Sequence, residues 1–90
     1  MIRAISFESG KHILDTVPGA VLLDVRTEDE YILEHAAGAK LLPLDDIEYA
    51  DLSQLLPQKR APILIYCRTG RRSALAAAQL FDKGYENLYD

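Results

Sequence analysis

Pro62-Ile63-Leu64-Ile65-Tyr66-Cys67-Arg68-Thr69-Gly70-Arg71-Arg72 is the stretch on which the reading of this chain turns. Residues 62–66 are apolar and β-favouring, which predicts a strand buried on both faces of a parallel sheet. Residues 73–83, ending at Gly84, are rich in strong helix formers, and the alanines at 74, 76, 77 and 78 let such a helix approach a sheet closely. Strand, short loop and helix in that order predict an α/β fold. In open α/β sheets ligands bind beyond the carboxyl ends of the strands, which is where Cys67 stands.

The loop has the makings of an anion cup. The first N–H groups of a helix have no internal partner, and the helix dipole adds partial positive charge at that end. Arg68, Arg71 and Arg72 lie within five residues of Cys67, whereas the nearest acids in sequence are Asp51 and Asp82. Gly70 permits a tight turn with inward-facing amides. Each feature favours thiolate over thiol, and thiols so placed have pKa values of roughly 3.5 to 7.5, with the thiolate as the nucleophile. The plainer alternative is a cysteine that serves as a small buried hydrophobe beside arginines that merely decorate a loop.

Working outward, Ala20-Val21-Leu22-Leu23-Asp24-Val25 predicts a second buried strand with Asp24 near its carboxyl end. Thr27 and Glu30 have the spacing of a capping box, predicting a helix of about two turns to Glu34. Residues 2–5 predict a first strand, and Ser6 caps a helix to about Leu14 before the Pro18-Gly19 turn, although Gly10 weakens it. Residues 40–42 predict a short strand, Asp45 with Glu48 opens a helical segment leading to Leu56-Pro57, and residues 87–89 predict a last strand.

Ninety residues, 49% hydrophobic and 27% charged, describe one domain over residues 1–90. The net charge of −4 argues against nucleic-acid binding. No apolar run approaches the roughly 20 residues that span a bilayer, and Met1-Ile2-Arg3 opens no secretory pattern, so a cytoplasmic protein without membrane partners is expected. A single cysteine excludes an internal disulfide and a multi-cysteine zinc site, and two histidines at unrelated spacing suggest no metal.

Tyr66-Cys67-Arg68-Thr69-Gly70-Arg71-Arg72-Ser73-Ala74 resembles the active-site loop of single-domain rhodanese-like sulfurtransferases. Leu23-Asp24-Val25-Arg26 resembles that family's Asp-Val-Arg strand end. Glu30-Tyr31, His35-Ala36-Ala37-Gly38-Ala39 and Pro43 resemble its segment around His-Ile-Pro-Gly-Ala. The motifs run in the family's order from Leu23 to Ser73, with weaker similarity through Gly84-Tyr85 and Asn87. Ala36 and Ala37 depart from the usual Ile-Pro, and Glu34 stands where the family often has Gly. The resemblance implies a mainly parallel sheet with helices on both faces. It also implies a Gly-Gly turn and a terminal helix beyond Asp90, so the chain is read either as a trimmed domain or as one whose uncovered sheet invites self-association or a larger partner.

For activity, the resemblance implies that the Cys67 thiolate takes the outer sulfur of thiosulfate or a related anion as a persulfide and passes it to a thiol or cyanide-like acceptor, without metal or organic cofactor. Arg68, Thr69, Gly70, Arg71, Arg72 and Ser73 would bind the donor, Asp24 would orient Arg72, and Arg26 and His35 would support the site. One rival is a non-catalytic module that keeps the fold for recognition. Another is a cysteine-dependent phosphatase or arsenate reductase, whose loops place five residues between Cys and Arg where Cys67 and Arg72 enclose four.

Overall fold

The computed structural model describes residues 2–90. Five strands, β1 (Ile2–Arg3), β2 (Val21–Asp24), β3 (Lys40–Leu41), β4 (Ile63–Tyr66) and β5 (Leu88–Tyr89), form one sheet in the spatial order β1-β5-β4-β2-β3, and every pairing is parallel. Three helices connect them: α1 (Phe7–Thr16), α2 (Glu28–Leu33) and α3 (Arg71–Asp82). The expected α/β architecture holds, with an entirely parallel sheet. Among the described residues no helix is long and apolar enough to cross a membrane.

Strand alternation explains how both faces are used. Leu23, Ile63, Ile65 and Leu88 point into the main core, where they meet Ala76, Ala77 and Leu80 of α3 together with Ile47, Leu52 and Leu56. Full burial of each large aliphatic side chain stabilises the fold by about 1.5–3 kcal/mol. Ala76 and Ala77 are the alanines that permit the close approach, whereas Ala74 and Ala78 are exposed. On the opposite face, Leu64 packs against Gly10 of α1: a Cβ at Gly10 would meet Leu64 Cδ2 at 3.0 Å. The glycine that weakens the helix as a sequence is its point of close approach to the sheet. Beside this contact an open groove of about 620 Å³ runs between α1 and the sheet, lined by Phe7, Leu14, Leu22 and Leu64.

Caps set the helix starts. Ser6 accepts the Ser9 amide at 3.1 Å, and the Thr27–Glu30 capping box is complete. Two expectations change. Leu44–Asp46 form only a short 3₁₀ turn, and no longer helix follows before Pro57. Asp51 there accepts both the amide and the hydroxyl of Ser53, at 3.0 and 2.7 Å, which offers the backbone a local alternative to a helix. α3 begins at Arg71, two residues before the expected start, because Gly70 at φ +84° turns the chain directly into it. Arg71 and Arg72 are therefore the first helical residues and not part of the loop.

Candidate active site

Parallel pairing of β2 with β4 puts Asp24 opposite Tyr66, so the chain segments leaving both strands, with Arg26 on one and Cys67 on the other, open on the same edge of the sheet. Arg26, Glu34, His35, Ala36, Tyr66, Cys67 and Arg68 line a shallow cavity of about 270 Å³ there. Cys67 is half-buried in its lining.

The loop after Cys67 folds back over the sulfur. The amide N–H groups of Gly70 and Ser73 donate to Sγ at 3.1 and 3.3 Å, and Ser73 Oγ lies 3.6 Å away. Burial pushes the Cys67 thiol up, but the amides of Ser73, Thr69 and Gly70, aimed at the sulfur, favour the anion, and the thiol lies below its ordinary range. The cup is built from backbone donors at the start of α3. It stabilises negative charge on sulfur without a side-chain cation touching it.

The arginines divide by role. Arg72 is clamped: its Nη1 and Nη2 donate to the two carboxylate oxygens of Glu30 at 2.6 and 3.0 Å. Arg72 foremost, then the Thr27 amide, hold the Glu30 carboxyl well below the usual carboxylate range. The expectation that Asp24 orients Arg72 is thereby corrected. Asp24 is fully buried and instead accepts the backbone amide of Arg26 at 3.0 Å, Arg26 Nε at 3.0 Å, Arg26 Nη2 at 2.8 Å and the Tyr66 hydroxyl at 2.8 Å. Burial raises its carboxyl, yet these donors prevail and leave it below the ordinary value. The physical reason is reach: Arg26 is two residues away and folds back on the carboxylate, while Glu30 on α2 faces the start of α3.

Arg26 also donates to the Glu34 carbonyl at 2.6 Å, and the Ala36 amide donates to Tyr66 Oη at 3.1 Å, so one network fixes the cavity wall from residue 24 to residue 36. His35 stacks flat on Tyr31 with ring centroids 3.7 Å apart, and its Nδ1 lies 2.8 Å from the Tyr31 carbonyl. It stands on the cavity rim as a held residue. Arg68 and Arg71 are exposed, and their side chains make no hydrogen bond or ion pair among the described residues; only Arg68 borders the cavity. Thr69 and Gly70 are exposed at the loop tip. Ser73 contributes its amide to the sulfur, while its side chain is buried and its hydroxyl contacts the Asp90 carboxylate and the Gly70 carbonyl. Ser73 therefore faces inward and does not line the cavity.

Sequence reasoning passed over Glu30, Tyr66 and Asp90 as site residues. Glu30 satisfied the capping box and Tyr66 satisfied the strand, so neither left a signal demanding a second role. Asp90 lies 17 residues beyond Ser73, and only the parallel sheet brings the two together. Among the described residues no group of three or more metal-ligating side chains is assembled.

The sequence model of the rhodanese-like domain matches residues 8–90. The chain belongs to the rhodanese-like domain family. It is similar to thiosulfate sulfurtransferase GlpE of Coxiella burnetii, 34% identical over 70 residues that cover 77% of this chain and 62% of that protein. It is likewise similar to thiosulfate sulfurtransferase PspE of Escherichia coli K12, 32% identical over 66 residues that cover 73% of this chain and 62% of PspE. The chain thus spans about three fifths of the length of both relatives. Among solved structures, a rhodanese with anions from E. coli superposes with a TM-score of 0.72 at 30% identity, covering 79% of this chain and 82% of that one.

Proposed function

We propose that this rhodanese-like domain is a sulfurtransferase that moves a sulfane sulfur from thiosulfate or a related anion to a thiophilic acceptor through a Cys67 persulfide. The observation that carries the reading is the Cys67 sulfur, held by the Gly70 and Ser73 amides, in the lining of an open cavity. The names of the relatives supply the reaction class.

In the first half-reaction the Cys67 thiolate attacks the outer sulfur of thiosulfate. The sulfur–sulfur bond of the donor breaks, its electron pair leaves with sulfite, and a new bond joins Cys67 to the transferred sulfur. A depressed thiol pKa means that no base need remove a proton at attack. The loop amides lie where negative charge persists on the persulfide. Arg68, unpaired on the cavity rim, is the cation available to the dianionic donor. In the second half-reaction cyanide or a thiolate attacks the outer sulfur, and the electron pair of the persulfide bond returns to Cys67.

A phosphatase reading requires the loop arginine to clamp phosphate in two-pronged fashion, and both Arg72 prongs are committed to Glu30. A recognition module with no chemistry would have no use for amides converging on a sulfur. The single free thiol suits the reducing cytoplasm, which is where we place the reaction. The test is to incubate the protein with thiosulfate and measure its mass: a gain of one sulfur, lost on adding cyanide and absent in Cys67→Ser, supports the assignment. Hydrolysis of an aryl phosphate without sulfur loading would replace it.

A further inference from the structure

The Ser73 hydroxyl sits among three acceptors with one proton to give. Its oxygen contacts the Asp90 carboxylate, lies 3.1 Å from the Gly70 carbonyl, and lies 3.6 Å from Cys67 Sγ. Ser73 is 1% exposed, so water does not compete for that proton. Asp90 is fixed in turn, because its amide donates to the Arg3 carbonyl at 2.8 Å where β1 runs beside β5.

We infer that Asp90 is a positioning residue for the nucleophile: it claims the Ser73 hydroxyl proton and so turns a lone pair of that oxygen, rather than its hydrogen, toward the Cys67 sulfur. An ionised carboxylate is the strongest of the three acceptors, and hydrogen bonds to charged acceptors are about twice as strong as neutral ones. With its hydrogen on Asp90, the hydroxyl can accept from a Cys67 thiol but cannot donate to a Cys67 thiolate. The carboxylate charge, one hydroxyl away, acts in the same direction. Asp90 therefore opposes the amide cup and keeps the thiolate more basic than the cup alone would leave it.

The surroundings of Asp90 do not cancel this charge. Lys11 and Asp15 of α1 line the same groove with opposite signs, Tyr66 and Tyr89 are the titratable groups of the neighbouring strands, and the Arg3 side chain is occupied with the Tyr89 hydroxyl at 2.9 Å. No cation pairs with Asp90 among the described residues. The consequence for catalysis is a balance: a more basic thiolate attacks a sulfur donor better, while a less basic one leaves better when the acceptor arrives.

The test uses the full chain and a neutral disulfide, dithiodipyridine, as a thiol probe that needs no sulfurtransferase activity. Its rate with Cys67 is followed against pH for the wild type, Asp90→Asn and Ser73→Ala, each checked for folding by circular dichroism. For Asp90→Asn the acid limb moves down by about one pH unit, which is roughly tenfold more thiolate at a given acid pH. Because exchange rates fall with thiolate basicity at a Brønsted slope of about 0.4–0.5, the net change is about threefold faster at acid pH and about threefold slower on the alkaline plateau. The two curves cross. A loop merely loosened by the substitution would react faster on both limbs, and that result, or an unshifted acid limb, overturns the inference. Ser73→Ala provides an independent arm should Asp90→Asn not fold: its apparent pKa falls or at most stays level, because the lost hydroxyl accepted from the thiol and gave nothing to the thiolate, whereas a rise would show that the hydroxyl had been donating to sulfur and refutes the role of Asp90. In the sulfur-transfer assay, which rests on the proposed function, Asp90→Asn slows loading and speeds discharge; crossed thiol curves in a protein that takes up no sulfur would refute the transfer reading while leaving this one standing.

Discussion

Glu30 and Arg72, 42 residues apart in sequence, meet in a two-pronged ion pair at 2.6 and 3.0 Å that joins the first turn of α2 to the first turn of α3. The same carboxylate closes the capping box by accepting the Thr27 amide at 3.0 Å. One side chain thus starts a helix and anchors the segment that presents the Gly70 and Ser73 amides to the sulfur. The pair is partly solvated, and such pairs contribute little to stability, so its value lies in geometry.

Glu30→Gln should consequently cost more activity than stability. The amide can still cap α2 but cannot hold both prongs of a guanidinium, and a displaced Arg72 shifts the amides around Cys67. Thiosulfate–cyanide kinetics should show kcat/KM reduced by about tenfold, with the melting temperature lowered only slightly. Unchanged kinetics would mean that the loop holds its shape without the pair.

Asp24 carries the opposite balance. Its carboxylate is fully buried, and replacing it with Ala leaves the Arg26 guanidinium, which is 14% exposed, without its partner. Breaking such a pair costs about 3 kcal/mol, visible in urea unfolding. The sign of the pH dependence follows from the lowered carboxyl pKa: stabilisation is complete above the unfolded carboxylate value and is lost as pH falls through the folded one. Asp24→Asn should therefore flatten the acid limb of the wild-type stability profile.

Much of this arrangement was legible in advance because local rules act over short spans. The strand ending at Tyr66, the Thr27–Glu30 cap, Asp24 at a strand end and Cys67 before a helix all follow from neighbours within five residues. What stayed hidden depends on the sheet order. Glu30 reaches Arg72 and Asp90 reaches Ser73 only because β1-β5-β4-β2-β3 closes those distances. The locally cationic loop expected from the sequence is moderated by two acids, one about forty residues before it and one about twenty after it. The helix expected after Asp45 failed for a related reason: Ile47, Leu52 and Leu56 enter the core from irregular turns, and burial overrode propensity.

Gly10 tests the packing of α1. Gly→Ala within a helix gains up to about 1 kcal/mol in propensity, set here against a Cβ contact at 3.0 Å with Leu64 Cδ2. Leu64 borders the open groove and has room to swing away. Gly10→Ala should therefore raise the melting temperature by a few degrees, while Gly10→Leu, too large for the gap, should lower it by more.

Arg68 and Arg71 offer a test of donor recognition. Both are exposed and unpaired among the described residues, yet only Arg68 borders the cavity. Arg68→Ala should raise the KM for thiosulfate by about five- to tenfold, equivalent to losing one charge-assisted contact of roughly 1–1.4 kcal/mol, and leave kcat nearly unchanged. Arg71→Ala should change KM by less than twofold at 0.15 M ionic strength, where the Debye length is about 8 Å.

The thiol itself makes the sharpest prediction, because one cause must appear in two unrelated measurements. A Cys67 pKa below the ordinary thiol range means that loading by thiosulfate persists on the acid side of neutrality and falls only as Cys67 protonates. By linkage, the thiolate contributes stability that is complete above the unfolded thiol pKa and disappears as pH falls through the folded one. The difference in melting temperature between the wild type and Cys67→Ser should shrink on acidification from the unfolded thiol pKa down to the folded one, and level off at the pH where loading fails. If the levelling-off of stability and the midpoint of loading fall at different pH values, the titrating group in one of the two experiments is not Cys67; if neither lies below the free-cysteine value, the amides of Gly70 and Ser73 do not hold an anion.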